Sequence, residues 1–125
     1  MVFLPSDDAL EARCRAIYER VAGAEGFDVL GWRDVPVDTS AVGPIALGTM
    51  PRIRQVFLSS RDKALQGAEL ERELFMVRKL VEREKASLGA AADDFYVCSL
   101  SNRTIVYKVG RSSVPLGLGI YTAGA

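Results

Sequence analysis

Phe95-Tyr96-Val97-Cys98-Ser99-Leu100-Ser101-Asn102-Arg103-Thr104-Ile105-Val106-Tyr107-Lys108 is the stretch whose reading decides the fold. Two apolar runs rich in aromatic and β-branched side chains flank the polar break Ser101-Asn102-Arg103. Polar residues that tolerate tight turns between two such runs predict a β-hairpin. A loop this short makes the two strands antiparallel neighbours.

Upstream of the hairpin, Gly89 to Ala92 reads as a small-residue connector. Before it, Leu70, Leu74, Val77 and Val81 recur at helical spacing, widened by Leu80 and Leu88, and predict a helix over 68–88. The other face carries Glu69, Glu73, Arg78, Glu82 and Lys85; both signs are interspersed, as on a solvated face. Arg52 to Ser59 reads as a strand with Ile53, Gln55, Phe57 and Ser59 on one side and Arg54, Val56 and Leu58 on the other. The Gly- and Pro-bearing residues 37–51 read as a loop. Phe27 to Val35 reads as another strand, ended by Pro36. Leu10, Cys14, Ile17 and Val21 form the stripe of a first helix over 7–24, with Ser6 as N-cap, Asp7 and Asp8 in the first turn, and Gly23 and Gly26 at its end.

The expected order is therefore αββαββ, an α+β fold with two helices packed on a mostly antiparallel four-stranded sheet. The two stripes align at a constant offset, Leu10 with Leu70 through Val21 with Val81, and Glu11 with Glu71. Any two amphipathic helices align in this way, so the offset does not argue for duplication.

At 125 residues the chain suits one domain, and its zero net charge gives no support to nucleic-acid binding. No apolar run is long enough to span a bilayer. Met1 to Pro5 is too short for a signal peptide, so a cytoplasmic setting is expected. The sequence holds two cysteines, Cys14 and Cys98, and no histidine. Without imidazole, Ser-His-Asp and Cys-His catalysis are excluded, and two Cys alone fall short of a structural zinc site. Both cysteines are expected as reduced, poorly reactive thiols.

Several polar groupings remain. Trp32 with Arg33 and Asp34 offers a binding cluster, although a large aromatic mostly serves packing, with Arg33 and Asp34 as a local surface pair. Ser99, Ser101 and Thr104 surround the expected turn; a nucleophilic serine would need Lys108 or a carboxylate as base, and hydrogen bonding in the turn is the simpler role. Asp93-Asp94 is a pair without a third metal ligand and reads as a solvated turn. Arg52 and Arg54 could face a phosphate or carboxylate, or equally water.

SLSNRTIVYK (99–108) resembles a segment of the glutaminase domain of glutamate synthase, and so, in the same order, do Phe3-Leu4-Pro5, LGWRDVPVD (30–38), PRIRQVF (51–57) and ELERELFMVRK (69–79). The likeness runs from residue 2 to Lys108. It implies a class II amidotransferase fold, in which an N-terminal Cys releases ammonia from glutamine, an Arg holds the substrate carboxylate and an Asn-Gly pair forms the oxyanion hole. None of these carries over: the sequence begins Met1-Val2, and Asn102, its one Asn, precedes Arg103. No catalytic, cofactor-binding or metal-ligating residue is therefore expected in this sequence. Residues 1–110 are expected as the domain and 111–125 as a divergent tail.

Two functions compete. One is a non-catalytic binding or accessory module of unknown ligand; the other is a glutaminase segment active only with parts from another chain. Exposed surface left by the missing parts is expected to support a homodimer, through the sheet or through the tail, where Val114, Leu116, Leu118 and Ile120 alternate with Pro and Gly.

Overall fold

Val2–Leu4 forms strand β1, which lies inside the main sheet. Helix α1 (Asp8–Ala24), β2 (Phe27–Asp34), the short α2 (Pro44–Thr49), β3 (Arg52–Ser60), α3 (Gly67–Lys85), a 3-10 segment (Ala86–Ala92) and β4 (Tyr96–Val97) follow in order. The computed structural model describes residues 1–102, together with the backbone of β5 (Tyr107–Gly110) and β6 (Gly119–Thr122).

The main sheet is four-stranded and antiparallel in the order β2-β3-β1-β4, so the α+β class holds. Its membership differs from the expected order. β1, unread in the sequence because three residues give only one step of alternation, fills the gap between β3 and β4. Val2 pairs with both Arg54 and Val97. The first arm of the expected hairpin is thus β4, partnered by β1, while β5 pairs with β6. The turn residues 103–106 and most of the tail lie outside the described residues.

The loop expected at 37–51 contains α2, for which Pro44 supplies a preset φ at the first turn. Asp7, rather than Ser6, caps α1: its side chain accepts the Leu10 N–H at 2.8 Å. At the other end of α1, Arg61 reaches back from beyond β3 to the Gly23 carbonyl, supplying the cation that the last turn itself lacks. The connector at 89–92 is 3-10 rather than irregular, with Gly89 at φ 66° allowing the kink inside it.

Both long helices cover one sheet face. Cys14, Ile17, Tyr18, Val21 and Ala22 of α1 and Leu74, Val77 and Val81 of α3 are buried with Val2, Leu4, Phe27, Phe95 and Val97. On β3, Val56 and Leu58 join this core while Ile53 turns to the opposite face, as the alternation predicts. There Ile53 is buried with Met1 and Val35, next to Phe3, Val37, Met50 and Cys98.

In β2 the register slips between Val29 and Gly31, leaving Leu30 as the extra residue, 69% exposed. The bulge changes the parity of the strand. Val29 opposes Leu58 and Trp32 opposes Val56, so both lie on the helix-covered face although they are three residues apart. Trp32 is thereby brought edge-on to Tyr18, ring centroids 5.4 Å apart at 68°.

Tyr18 is fully buried, and its hydroxyl has no hydrogen-bond partner among the described residues. Burial pushes its ionisation well above the usual tyrosine range. An unsatisfied buried hydroxyl opposes folding. Tyr18→Phe should therefore raise stability, by up to about 1 kcal/mol, read as a later urea midpoint with unchanged slope. An earlier midpoint would mean that the hydroxyl has a partner.

Candidate functional site

The most concentrated chemistry sits where α1 crosses β3. Glu11 belongs to the buried side of α1, one turn before Cys14, and is 6% exposed. Arg52 and Arg54, alternate residues of β3, point to the same face and both reach it. Arg52 Nη1 donates to Glu11 Oε2, and Arg54 Nε lies 3.3 Å from Oε1. Arg15, one turn further along α1, approaches Oε1 at 3.2 Å.

The outer arms of these arginines are also occupied. Arg52 Nη2 donates to Asp8 Oδ1 and to the Ser6 carbonyl, each at 2.6 Å, and Arg54 Nη1 pairs with Asp34 Oδ1 at 2.7 Å. Three guanidinium groups therefore face the three carboxylates Asp8, Glu11 and Asp34. Burial raises the Glu11 pKa, but the Arg52 hydrogen bond and the charges of Arg54, Arg15 and Arg52 outweigh it, and the carboxyl is held below its ordinary value. The cluster balances its own charge and leaves no cation for a phosphate. Arg52 and Arg54 thus clamp the first helix to the sheet instead of facing ligand or water.

Trp32 continues this cluster. Its Nε1 donates to Glu19 Oε1 at 2.8 Å, and the Arg15 guanidinium lies 5.0 Å from the ring centroid. The Trp32-Arg33-Asp34 grouping is split, because neighbours on a strand point to opposite faces. Arg33 donates to Gln55 Oε1 at 2.8 Å across the strands, while Asp34 takes Arg54.

The second grouping is the stretch after β4. Cys98 and Ser99 N–H groups both donate to the Met1 carbonyl, and Met1 N donates to the Ser99 carbonyl. Glu71 of α3 then closes the turn: its Oε1 accepts Ser101 Oγ at 2.9 Å and Asn102 N at 3.1 Å. A carboxylate shared between a hydroxyl and a backbone N–H is a turn clasp. Ser101 is thereby engaged in the turn, as its simpler reading has it. Thr104 and the Lys108 side chain lie outside the described residues. Glu71→Ala should loosen 99–102, raising amide exchange at Asn102 by about tenfold if one hydrogen bond of average worth is lost. Unchanged exchange there would show that the clasp carries no load.

Asp93 and Asp94 are exposed at the end of the 3-10 segment, and no group of three potential metal ligands occurs among the described residues. Neither Cys14 nor Cys98 is in a disulfide among the described residues. Cys14 is fully buried, and its thiol is pushed up by burial. Cys98 is half-buried on the other sheet face. No described helix is long and apolar enough to cross a membrane.

Glu11 and Glu71 are the functional-looking residues that composition and stripe spacing passed over. Each sits one turn before a fully or nearly buried stripe residue, Cys14 and Leu74. A carboxylate continuing an apolar stripe was the available signal.

Comparison with known proteins bears on what these residues belong to. A family model described as "Glutamine amidotransferases class-II" matches residues 1–117. The chain is 47% identical over 108 residues to the chloroplastic ferredoxin-dependent glutamate synthase of Oryza sativa subsp. japonica, covering 86% of this chain and 7% of that protein. It is 45% identical over 118 residues to ferredoxin-dependent glutamate synthase 1 of Arabidopsis thaliana, covering 94% of this chain and 7% of the relative. The large chain of the Azospirillum brasilense NADPH glutamate synthase is 41% identical over 109 residues, 86% of this chain and again 7% of the relative. The likeness read from GWRDVPVD and SLSNRTIVYK is thus borne out over most of the sequence, which spans a small part of each relative's length. The chain belongs to the class II glutamine amidotransferases and resembles the part of that domain carried by glutamate synthases.

Proposed function

We propose that this chain is a non-catalytic binding or accessory module built on part of a glutaminase domain, and that alone it does not hydrolyse glutamine. The observation that carries this reading is the state of its nucleophiles. Attack on an amide carbon needs a nucleophile beside a base. Cys14 is sealed in the core with its thiol disfavoured as thiolate. The Ser101 hydroxyl, which donates to Glu71, is engaged in holding a turn. The arginines suited to a substrate carboxylate are neutralised within the Glu11 cluster.

Residues 1–110 then act as the module and 111–125 as its appendage. Cysteines outside any disulfide fit a reducing, cytoplasmic setting. A second reading rests on the 7% coverage of the relatives: the chain would act with the remaining parts supplied by another polypeptide. Ammonia release from L-glutamine separates the two. The purified chain is expected to give the buffer rate, and ammonia from it alone would refute the module. Release only after adding the rest of a glutaminase domain would favour the second reading.

A further inference from the structure

We propose that this chain associates with a second copy of itself through an antiparallel pairing of α3 about a two-fold axis at Met76. The outward face of α3 is not a uniform solvated surface. Phe75 and Met76 are 53% and 42% exposed on it, one after the other in the middle of a 19-residue helix. Such an apolar pair at the centre of a long exposed helix face is a candidate contact.

The charges around it are arranged symmetrically in position and oppositely in sign. Glu69 lies seven residues before Met76 and Arg83 seven after; Glu73 lies three before and Lys79 three after. Two helices crossing antiparallel at Met76 therefore oppose Glu69 to Arg83 of the second copy and Glu73 to Lys79 of the second copy, each twice. This is the self-complementarity that a two-fold interface requires. Arg72, four residues before Met76, falls over Leu80 of the second copy, where its aliphatic stem can lie on the apolar side chain.

The groups involved are available. Glu69, Arg72, Lys79 and Arg83 are exposed, and Glu69, Arg72, Glu73 and Arg83 have no ion pair among the described residues. Lys79 is engaged by Glu82 at 3.2 Å in an exposed pair, which holds weakly and can exchange. A shift of the axis by half a residue would set Arg72 against Lys79 and Glu69 against Glu82, like against like, so the charges also fix the register. An acidic segment of another protein would suit the cations but meet Glu69 and Glu73.

Sedimentation of the full chain over a concentration series, with Glu69→Arg, Arg83→Glu and the double variant, tests this. A dimer is expected for the wild type. Each single variant should weaken it by about tenfold or more, since each sets like charges opposite one another twice. The double variant re-forms the same pairs with signs exchanged and should return to within about threefold of the wild type. Circular dichroism confirms that all four chains are folded. Met76→Cys should give a covalent dimer under mild oxidation, because the two positions meet on the axis. A wild-type monomer at every concentration, single variants as tight as wild type, or a double variant weaker than either single would each overturn the proposal.

Discussion

Glu11→Ala is expected to destabilise the fold by about 3 kcal/mol, the low end of the range for breaking a buried ion pair. The substitution leaves Arg15, Arg52 and Arg54 facing one another without the carboxylate that they share. The lower figure applies because Arg15 and Arg52 are about a third exposed, so water recovers part of the loss, whereas Arg54 at 18% is less well placed to recover. Urea unfolding at neutral pH gives the number, and a loss below about 1 kcal/mol would mean that the cluster is solvated rather than locked. The contribution also has a pH signature. Because the folded-state pKa lies below the ordinary 4.5, the stability from this group is present above that value and is lost as pH falls through the lower, folded-state value. The difference between wild type and Glu11→Gln should accordingly shrink on acidification below pH 4.5.

Leu74→Ala should have a comparable effect for a different reason. Leu74 is 5% exposed and packs in the same buried cluster as Val77, Val81 and Cys14. Removing its isobutyl group loses transfer free energy and leaves a cavity between α3 and α1, at about 2–5 kcal/mol. Val77→Ala, at a site with no exposure, should follow in the same direction. An unchanged urea midpoint for Leu74→Ala would show that the stripe is misassigned. Arg20→Ala is the matching control: its 2.8 Å pair with Glu84 joins the two helices but is exposed on both sides, so it should cost under about 1 kcal/mol.

These two residues mark how far the sequence could be read. Leu74 was legible because burial of a helix face imposes a 3.6-residue period. Cys14, Ile17, Val77 and Val81 were legible on the same ground, and so was the alternation of β3. Glu11 was not, because its burial depends on Arg52 and Arg54 arriving from a strand some forty residues away, and periodicity carries no information about that pairing. Glu71 was missed in the same way, since its role appears only once Ser101 and Asn102 lie against α3. β1 escaped because its strand character comes from β3 and β4 on either side rather than from its own three residues. Trp32 was placed in the core from its size, but the bulge at Leu30 that puts it there leaves no mark that alternation alone would register.

The family likeness and the physical reading meet at the nucleophiles. Motifs spread through the chain tie it to the class II amidotransferases, while the Cys14 thiol is buried in the core and the Ser101 hydroxyl is engaged by Glu71. The most direct test is incubation of the full chain with an electrophilic glutamine analogue, followed by intact mass, with and without excess L-glutamine. The predicted result is the unmodified mass, or slow labelling of Cys98 that glutamine does not prevent. A stoichiometric adduct that glutamine protects against would contradict the account, because it would reveal a nucleophile poised beside a glutamine site.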